Sequence, residues 1–224
     1  MTSIFTTLRA WIFLPFVVLH TLFWAIATIL VSKTIGVEPA MRMIRWGWAK
    51  PLLKFLGIQF EVRGAENFKL NRGSVVIFNH SSHMDIPLLF AASPKSIFFG
   101  AKVELFKIPF FGAAMRSVGA LPIDRSQRSK VMKVYEAAVP RLKTGDSFAL
   151  APEGTRQTIP RLGSFKRGPF EFAIQAESVL QPVVISGALR ILPNDTVLPN
   201  TRAWKSKVIV EFLGQITTYK EDDP

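Results

Sequence analysis

Residues 74–85 read Ser-Val-Val-Ile-Phe-Asn-His-Ser-Ser-His-Met-Asp, and this stretch decides the fold. Its first five residues are short, apolar and rich in β-branched side chains, the mark of a strand buried on both faces. The polar turn that follows carries His80, His83 and Asp85, and Ser82–Ala92 then reads as a helix. A buried strand that passes through a polar turn into a helix is the unit of an α/β fold, whose functional residues gather beyond the strand ends.

Similar runs recur on both sides of that unit. Ser96–Gly100, Ala120–Ile123, Ser147–Ala151 and Pro182–Ser186 are expected to be buried strands, and Lys207–Phe212 and Ile216–Tyr219 two late ones. Between them, Ser126–Lys143 places Val131, Val134, Tyr135, Ala138 and Leu142 at helical spacing, with Pro140 a local difficulty and Gly145 a stop. Pro169–Glu177 is a further helix. The expected architecture is α/β: a mixed, largely buried central sheet flanked by helices and preceded by N-terminal membrane-associated helices. Residues 1–57 form the anchoring segment and 58–224 the α/β domain.

The anchoring segment is read from Ala10–Val31, which holds no charged residue. As a helix the run is about 33 Å long, enough to cross a hydrocarbon core of about 30 Å. Ala25-Ile26-Ala27 resembles a signal cleavage site, but the apolar run continues to Val31, past the ~7–15 residues of a signal core. The segment is therefore expected to stay in the mature protein, with Pro15 able to bend it. Residues 36–57 set Trp46 and Trp48 among Arg42, Arg45, Lys50 and Lys54, with Pro51 interrupting the pattern. Aromatic and basic residues together suit a membrane–water interface. Arg9 precedes the apolar run, whereas Lys33, Arg42, Arg45, Lys50 and Lys54 follow it. If the segment spans the bilayer rather than folding into one leaflet, the positive-inside rule places everything after Val31 on the cytoplasmic face of the membrane.

The formal net charge is +12, and there is no cysteine. The first attracts phosphate, whether on nucleic acid, lipid or a small substrate. The second fits a reducing compartment and excludes thiol nucleophiles. No nucleic-acid reader motif is present, and the apolar N-terminus favours lipid as the partner.

In the turn itself, His80 and Asp85 would lie about 140° apart on one ideal helix and could not meet. With His80 in the strand-to-helix turn and Asp85 in the first helical turn, they can. The carboxylate would then fix one imidazole nitrogen and leave the other as a base. A helix cap formed by Asn79 or Ser81, with Asp85 favoured by the helix dipole, is the alternative reading of the same residues. His80-x-x-His83-x-Asp85 does not complete a hydrolase metal pattern, so no metal is expected. Ser81 and Ser82 lack the G-x-S-x-G elbow of a serine nucleophile.

Four further segments, with a fifth late in the chain, carry a stronger signal. They are AKVELFKIPFFG (Ala101–Gly112), GALPIDR (Gly119–Arg125), ALAPEGTR (Ala149–Arg156), GSFKRG (Gly163–Gly168) and QPVVISG (Gln181–Gly187). With NHSSHMD they resemble, in order and spacing, the motifs of the glycerolipid acyltransferases, especially the 1-acylglycerol-3-phosphate acyltransferases. The resemblance implies His80 as general base and Asp85 as its partner. It also implies that Arg125 and the loop Glu153, Gly154, Thr155 and Arg156 hold the glycerol-phosphate, with Lys102, Lys166 and Arg167 adding positive charge. Glu153 should repel phosphate, so it is expected to orient Arg156 or to contact the glycerol hydroxyl.

The implied reaction is a direct transfer from acyl-CoA or acyl carrier protein to a lysophospholipid acceptor, with no cofactor. Backbone amides at the start of the helix after His80 are expected to receive the oxyanion. Ser81 stands where the family often has Gln, and the family's V-P-I-x-P-V pattern becomes Gln181–Ser186, departures that put acceptor preference in doubt. A lyso-ornithine lipid or another lysolipid is the alternative acceptor. A basic lipid-binding membrane protein without catalysis is the alternative outside enzymes.

Overall fold

The computed structural model describes residues 4–193 and 207–219. The expected strand ends at Tyr219 and the N-terminal apolar run fall within these bounds, whereas the side chain of Arg9 lies outside what is described.

Helix α1 (Ile4–Thr34) opens the chain and runs through Pro15 without a break. Helix α2 (Val37–Met43) leads into a π-helical stretch, Ile44–Ala49, and then α3 (Lys50–Phe55). Pro51 does not interrupt the helical path: α3 follows the π-helical stretch directly, whose last bond runs from the Lys50 N–H to the Arg45 carbonyl, and Pro51 sits in the first turn of α3. Next come β1 (Gln59–Arg63), β2 (Ser74–Phe78), α4 (Asp85–Ala92), β3 (Phe98–Lys102) and α5 (Phe111–Ser117). They are followed by β4 (Leu121–Ile123), α6 (Arg128–Lys143), β5 (Phe148–Leu150) and α7 (Gly168–Gln175). The chain continues with β6 (Val179–Ser186), α8 (Ala188–Ile191), β7 (Lys207–Phe212) and β8 (Ile216–Thr217). Pro140 stays inside α6, and the carbonyl it leaves unbonded, that of Glu136, is on an exposed residue that water can serve.

The strands form one mixed sheet in the order β1-β7-β6-β2-β5-β3-β4, with β8 beside β6. β2 lies between β5 and β6 and is parallel to both, while β6 meets β7 and β8 antiparallel. Alternation along β2 sends Val76 and Phe78 to one face and Val75 to the other. The first face packs under Leu53 of α3 and Leu88 and Leu89 of α4, and the second under Leu142 of α6 and Phe172 of α7.

The helices before residue 57 reach the same cores. Phe13 of α1 and Leu52 of α3 join the first cluster, and Met41 of α2 joins the second. Trp48 fixes α1 in place by donating its indole N–H to Thr21 Oγ1 at 3.1 Å, while its carbonyl meets His20 Nε2 at 3.1 Å. Gly47 allows that close approach, because a Cβ there would come within 2.2 Å of the Trp24 ring. Away from these contacts, α1 turns Trp11, Leu19, Phe23, Ile26 and Leu30 outward, exposed and in helical register. Trp11–Thr34 is the one helix among the described residues long and apolar enough to cross a membrane, with a mean hydropathy of 2.2.

Candidate active site

β2 ends at Phe78, and the next residue extends its pairing by other means. Asn79 donates from Nδ2 to the Ile185 carbonyl at 2.9 Å and accepts the Ile185 N–H on Oδ1 at 2.7 Å. An amide side chain thus replaces a ladder rung just where the backbone turns away, and His80 leaves the sheet from a fixed point. Asn79 is a strand extension rather than a helix cap.

His80 and Asp85 meet. His80 Nδ1 lies 2.8 Å from Asp85 Oδ2, and the same oxygen accepts the N–H groups of Ser81 and Ser82, each at 2.8 Å. Asp85 is fully buried, a position a carboxylate holds only when donors replace the water it has lost. Placing the Nδ1 proton toward Asp85 leaves Nε2 as the free base, with its side chain 14% exposed. Ser82 is no nucleophile: its buried hydroxyl donates to the Leu192 carbonyl at 2.8 Å.

A second loop grips the backbone of His80. Glu153 accepts the His80 N–H on Oε1 at 2.9 Å and the Gly163 N–H on Oε2 at 2.7 Å. The Gln157 N–H donates to the His80 carbonyl at 2.8 Å. Glu153 is 4% exposed, and both of its carboxylate oxygens are engaged by backbone N–H groups. It positions the histidine, and the repulsion from phosphate that made it awkward as a substrate ligand does not arise. Gly154 supplies the turn at φ 74°, a backbone state that side chains disfavour, and Lys166 Cγ passes close behind it. Gln157 and Gly163 were not legible in the sequence, because each contributes only a backbone N–H.

His80 opens on a cavity of about 500 Å³. Of the expected site residues, Lys102, Arg125, Thr155 and Arg156 line it with His80. Glu153, Gly154, Lys166 and Arg167 are not among the residues that line it. Lys166 and Arg167 fall at the approach to α7, where the Lys166 N–H donates to the Pro152 carbonyl at 2.7 Å. Burial holds both guanidinium groups, Arg125 and Arg156, below the usual arginine range. For Arg156, Asp85 opposes that shift and Arg125 adds to it. Two partly desolvated cations that feel each other form a ready receptor for an anion. Lys102 adds a third charge, tempered by Glu104 at 3.3 Å.

The remaining lining is mostly apolar, with Thr21, Thr28 and His83 as polar members. It comes from Trp24, Ala25 and Thr28 of α1, Ile44 and Trp48 of the π-helical stretch, Phe90 of α4, and Met115 and Val118 of α5. These positions belong to no sequence motif. Of the amides near the start of α4, those of Ser81 and Ser82 serve Asp85, that of Met84 bonds Ser82 Oγ at 3.1 Å, and that of Asp85 bonds the Ser82 carbonyl at 3.3 Å.

Comparisons with known proteins bear on the family and the fold. The acyltransferase family profile matches residues 59–186. The chain is 33% identical over 136 residues to a chloroplastic 1-acyl-sn-glycerol-3-phosphate acyltransferase of Arabidopsis thaliana, covering 60% of this chain and 38% of that one. It is 35% identical to the human 1-acyl-sn-glycerol-3-phosphate acyltransferase alpha, covering 60% of this chain and 48% of the relative. The chain thus spans less than half the length of each of these two relatives. The crystal structure of the 1-acyl-sn-glycerophosphate acyltransferase PlsC from Thermotoga maritima superposes with a TM-score of 0.82 at 25% identity, over 97% of this chain and 88% of that one.

Proposed function

The chain belongs to the acyltransferase family, and from that membership we propose that it transfers a fatty acyl group from acyl-CoA or acyl carrier protein to the sn-2 hydroxyl of lysophosphatidic acid. The product is phosphatidic acid. The observation that carries this reading is the His80–Asp85 pair set in the wall of a largely apolar cavity that also holds Arg125 and Arg156. An apolar volume accepts an acyl chain, the two cations suit a phosphomonoester, and the base lines the same cavity.

His80 Nε2 takes the proton of the acceptor hydroxyl as its oxygen attacks the thioester carbonyl. The new C–O ester bond forms, the C–S bond breaks, and the departing sulfur takes the proton back from the imidazolium to leave as a thiol. Asp85 holds the tautomer and offsets the transient positive charge. Glu153 and Gln157 keep the histidine backbone from shifting. No metal or cofactor enters this scheme.

The membrane supplies both acceptor and product a place to stay. The outward stripe of α1 suits lipid, since an apolar surface of that extent is costly in water. Lys50 Nζ stacks 3.3 Å over the Trp46 ring, an arrangement suited to the headgroup layer. Lys33, Arg42, Arg45, Lys50 and Lys54 beyond α1 support a cytoplasmic catalytic domain. Protease protection of tags at both ends of the chain tests that orientation.

The reaction is tested by transfer of labelled acyl groups from each donor to lysophosphatidic acid in micelles, with wild type beside His80→Ala. Phosphatidic acid from the wild type and almost none from the variant is expected. Product from neither, with both proteins folded, would reject this acceptor and turn the search to other lysolipids.

A further inference from the structure

His80 has a second histidine three residues on, and the scheme above gives it no task. His83 lines the cavity at an exposed position, and its Nε2 contacts Nη1 of Arg156. A guanidinium has only donors. The imidazole must therefore be neutral and accept at Nε2, with its proton on Nδ1. The surroundings favour that state: partial desolvation where the ring lies against the cavity wall, and then the charges of Arg156 and His80, keep the His83 pKa below the ordinary histidine value, against a smaller opposing pull from Asp85. Arg125 and Lys102 line the same cavity, so the anion-binding side holds cations that repel one another. An arginine in that company needs a neutral acceptor to hold its fork in place, because a carboxylate there would compete with the incoming phosphate.

We propose that His83 is a positioning residue that accepts a hydrogen bond from Arg156 and aims its guanidinium at the phosphate of the acceptor. The inference rests on the acyl-transfer reading above and adds to it a residue that governs acceptor affinity. His83 touches neither the reacting hydroxyl nor the thioester. It should act on binding and leave the chemical step alone.

The role is acceptance rather than charge, and two substitutions separate them. His83→Gln places a carbonyl oxygen where Nε2 stood. His83→Lys supplies a cation that would itself attract phosphate but repels Arg156. KM for lysophosphatidic acid is expected to rise roughly tenfold in His83→Ala and at least as much in His83→Lys, with kcat within about twofold. His83→Gln is expected to stay within about threefold of wild type in both. Three results would overturn the proposal. A lysine variant that binds as wild type does would make His83 a charge. Alanine and glutamine variants that match each other would make it a bystander. A loss confined to kcat would make it part of the chemistry. The same ranking, read as equilibrium binding of lysophosphatidic acid, needs no turnover. A chain that binds in this order and transfers nothing would defeat the transfer reading and leave His83 in place.

Discussion

The two sides of the cavity are built in opposite ways. The polar side comes from a few short loops at strand ends: 79–85 after β2, Arg125 after β4, and 153–157 after β5, cross-braced through the backbone of His80. The apolar side is assembled from α1, the π-helical stretch, α4, β3 and α5, elements spread over the first half of the chain. One side needs particular atoms at hydrogen-bond distances, and the other needs volume. Geometry therefore constrains residue identity on the polar side, whereas many apolar residues can fill the same space. Chemistry and acyl selection should accordingly be separable by substitution.

The largest expected effect breaks the polar side alone. His80→Ala should lower kcat about 10³-fold with every acyl donor, leaving the order of preference among chain lengths unchanged. A changed order, read from initial rates across donors, would mean that the two sides are coupled. Asp85→Asn should lower kcat roughly 10²-fold, because the amide offers a donor as well as an acceptor to a site that presents three donors to one oxygen. Full activity in that variant would show that the tautomer is set elsewhere.

Smaller effects sharpen the contrast. Arg125→Ala should raise KM for lysophosphatidic acid roughly tenfold and leave the donor KM within about twofold. Trp24→Ala enlarges the apolar side and should shift preference toward longer acyl chains, with kcat for the best donor within about threefold. An unchanged chain-length profile would remove α1 from acyl selection. Lys166→Ala should be the mildest, within about twofold in every constant, since the side chain does not line the cavity.

The contrast also explains what the sequence revealed. β2 and its turn were legible because an apolar run and a polar cluster adjoin, and His80, Asp85, Arg125 and Arg156 were identified through the resemblance of their motifs. Motif membership could not tell a residue that lines the cavity from one that braces it. Glu153 was expected at the substrate and proves to hold two backbone N–H groups. Strand β1 escaped the reading because QFEVR is an exposed, mostly polar edge rather than a buried run. α5 escaped because FGAAMRS is short and small-sided, lacking a clear apolar period. The apolar lining was illegible for a third reason: Trp24 and Trp48 lie on different helical segments, and only packing brings them together.

The central claim is that the polar side reads a phosphate while the apolar side holds an acyl chain. Its most direct test is kcat/KM for lysophosphatidic acid against a monoacylglycerol with the same chain, using one acyl donor and the wild-type protein. The two acceptors differ only in the phosphate that Arg125 and Arg156 would bind. A preference for lysophosphatidic acid of about 100-fold or more is predicted. Equal values would contradict the assignment of these arginines and with it the proposed acceptor.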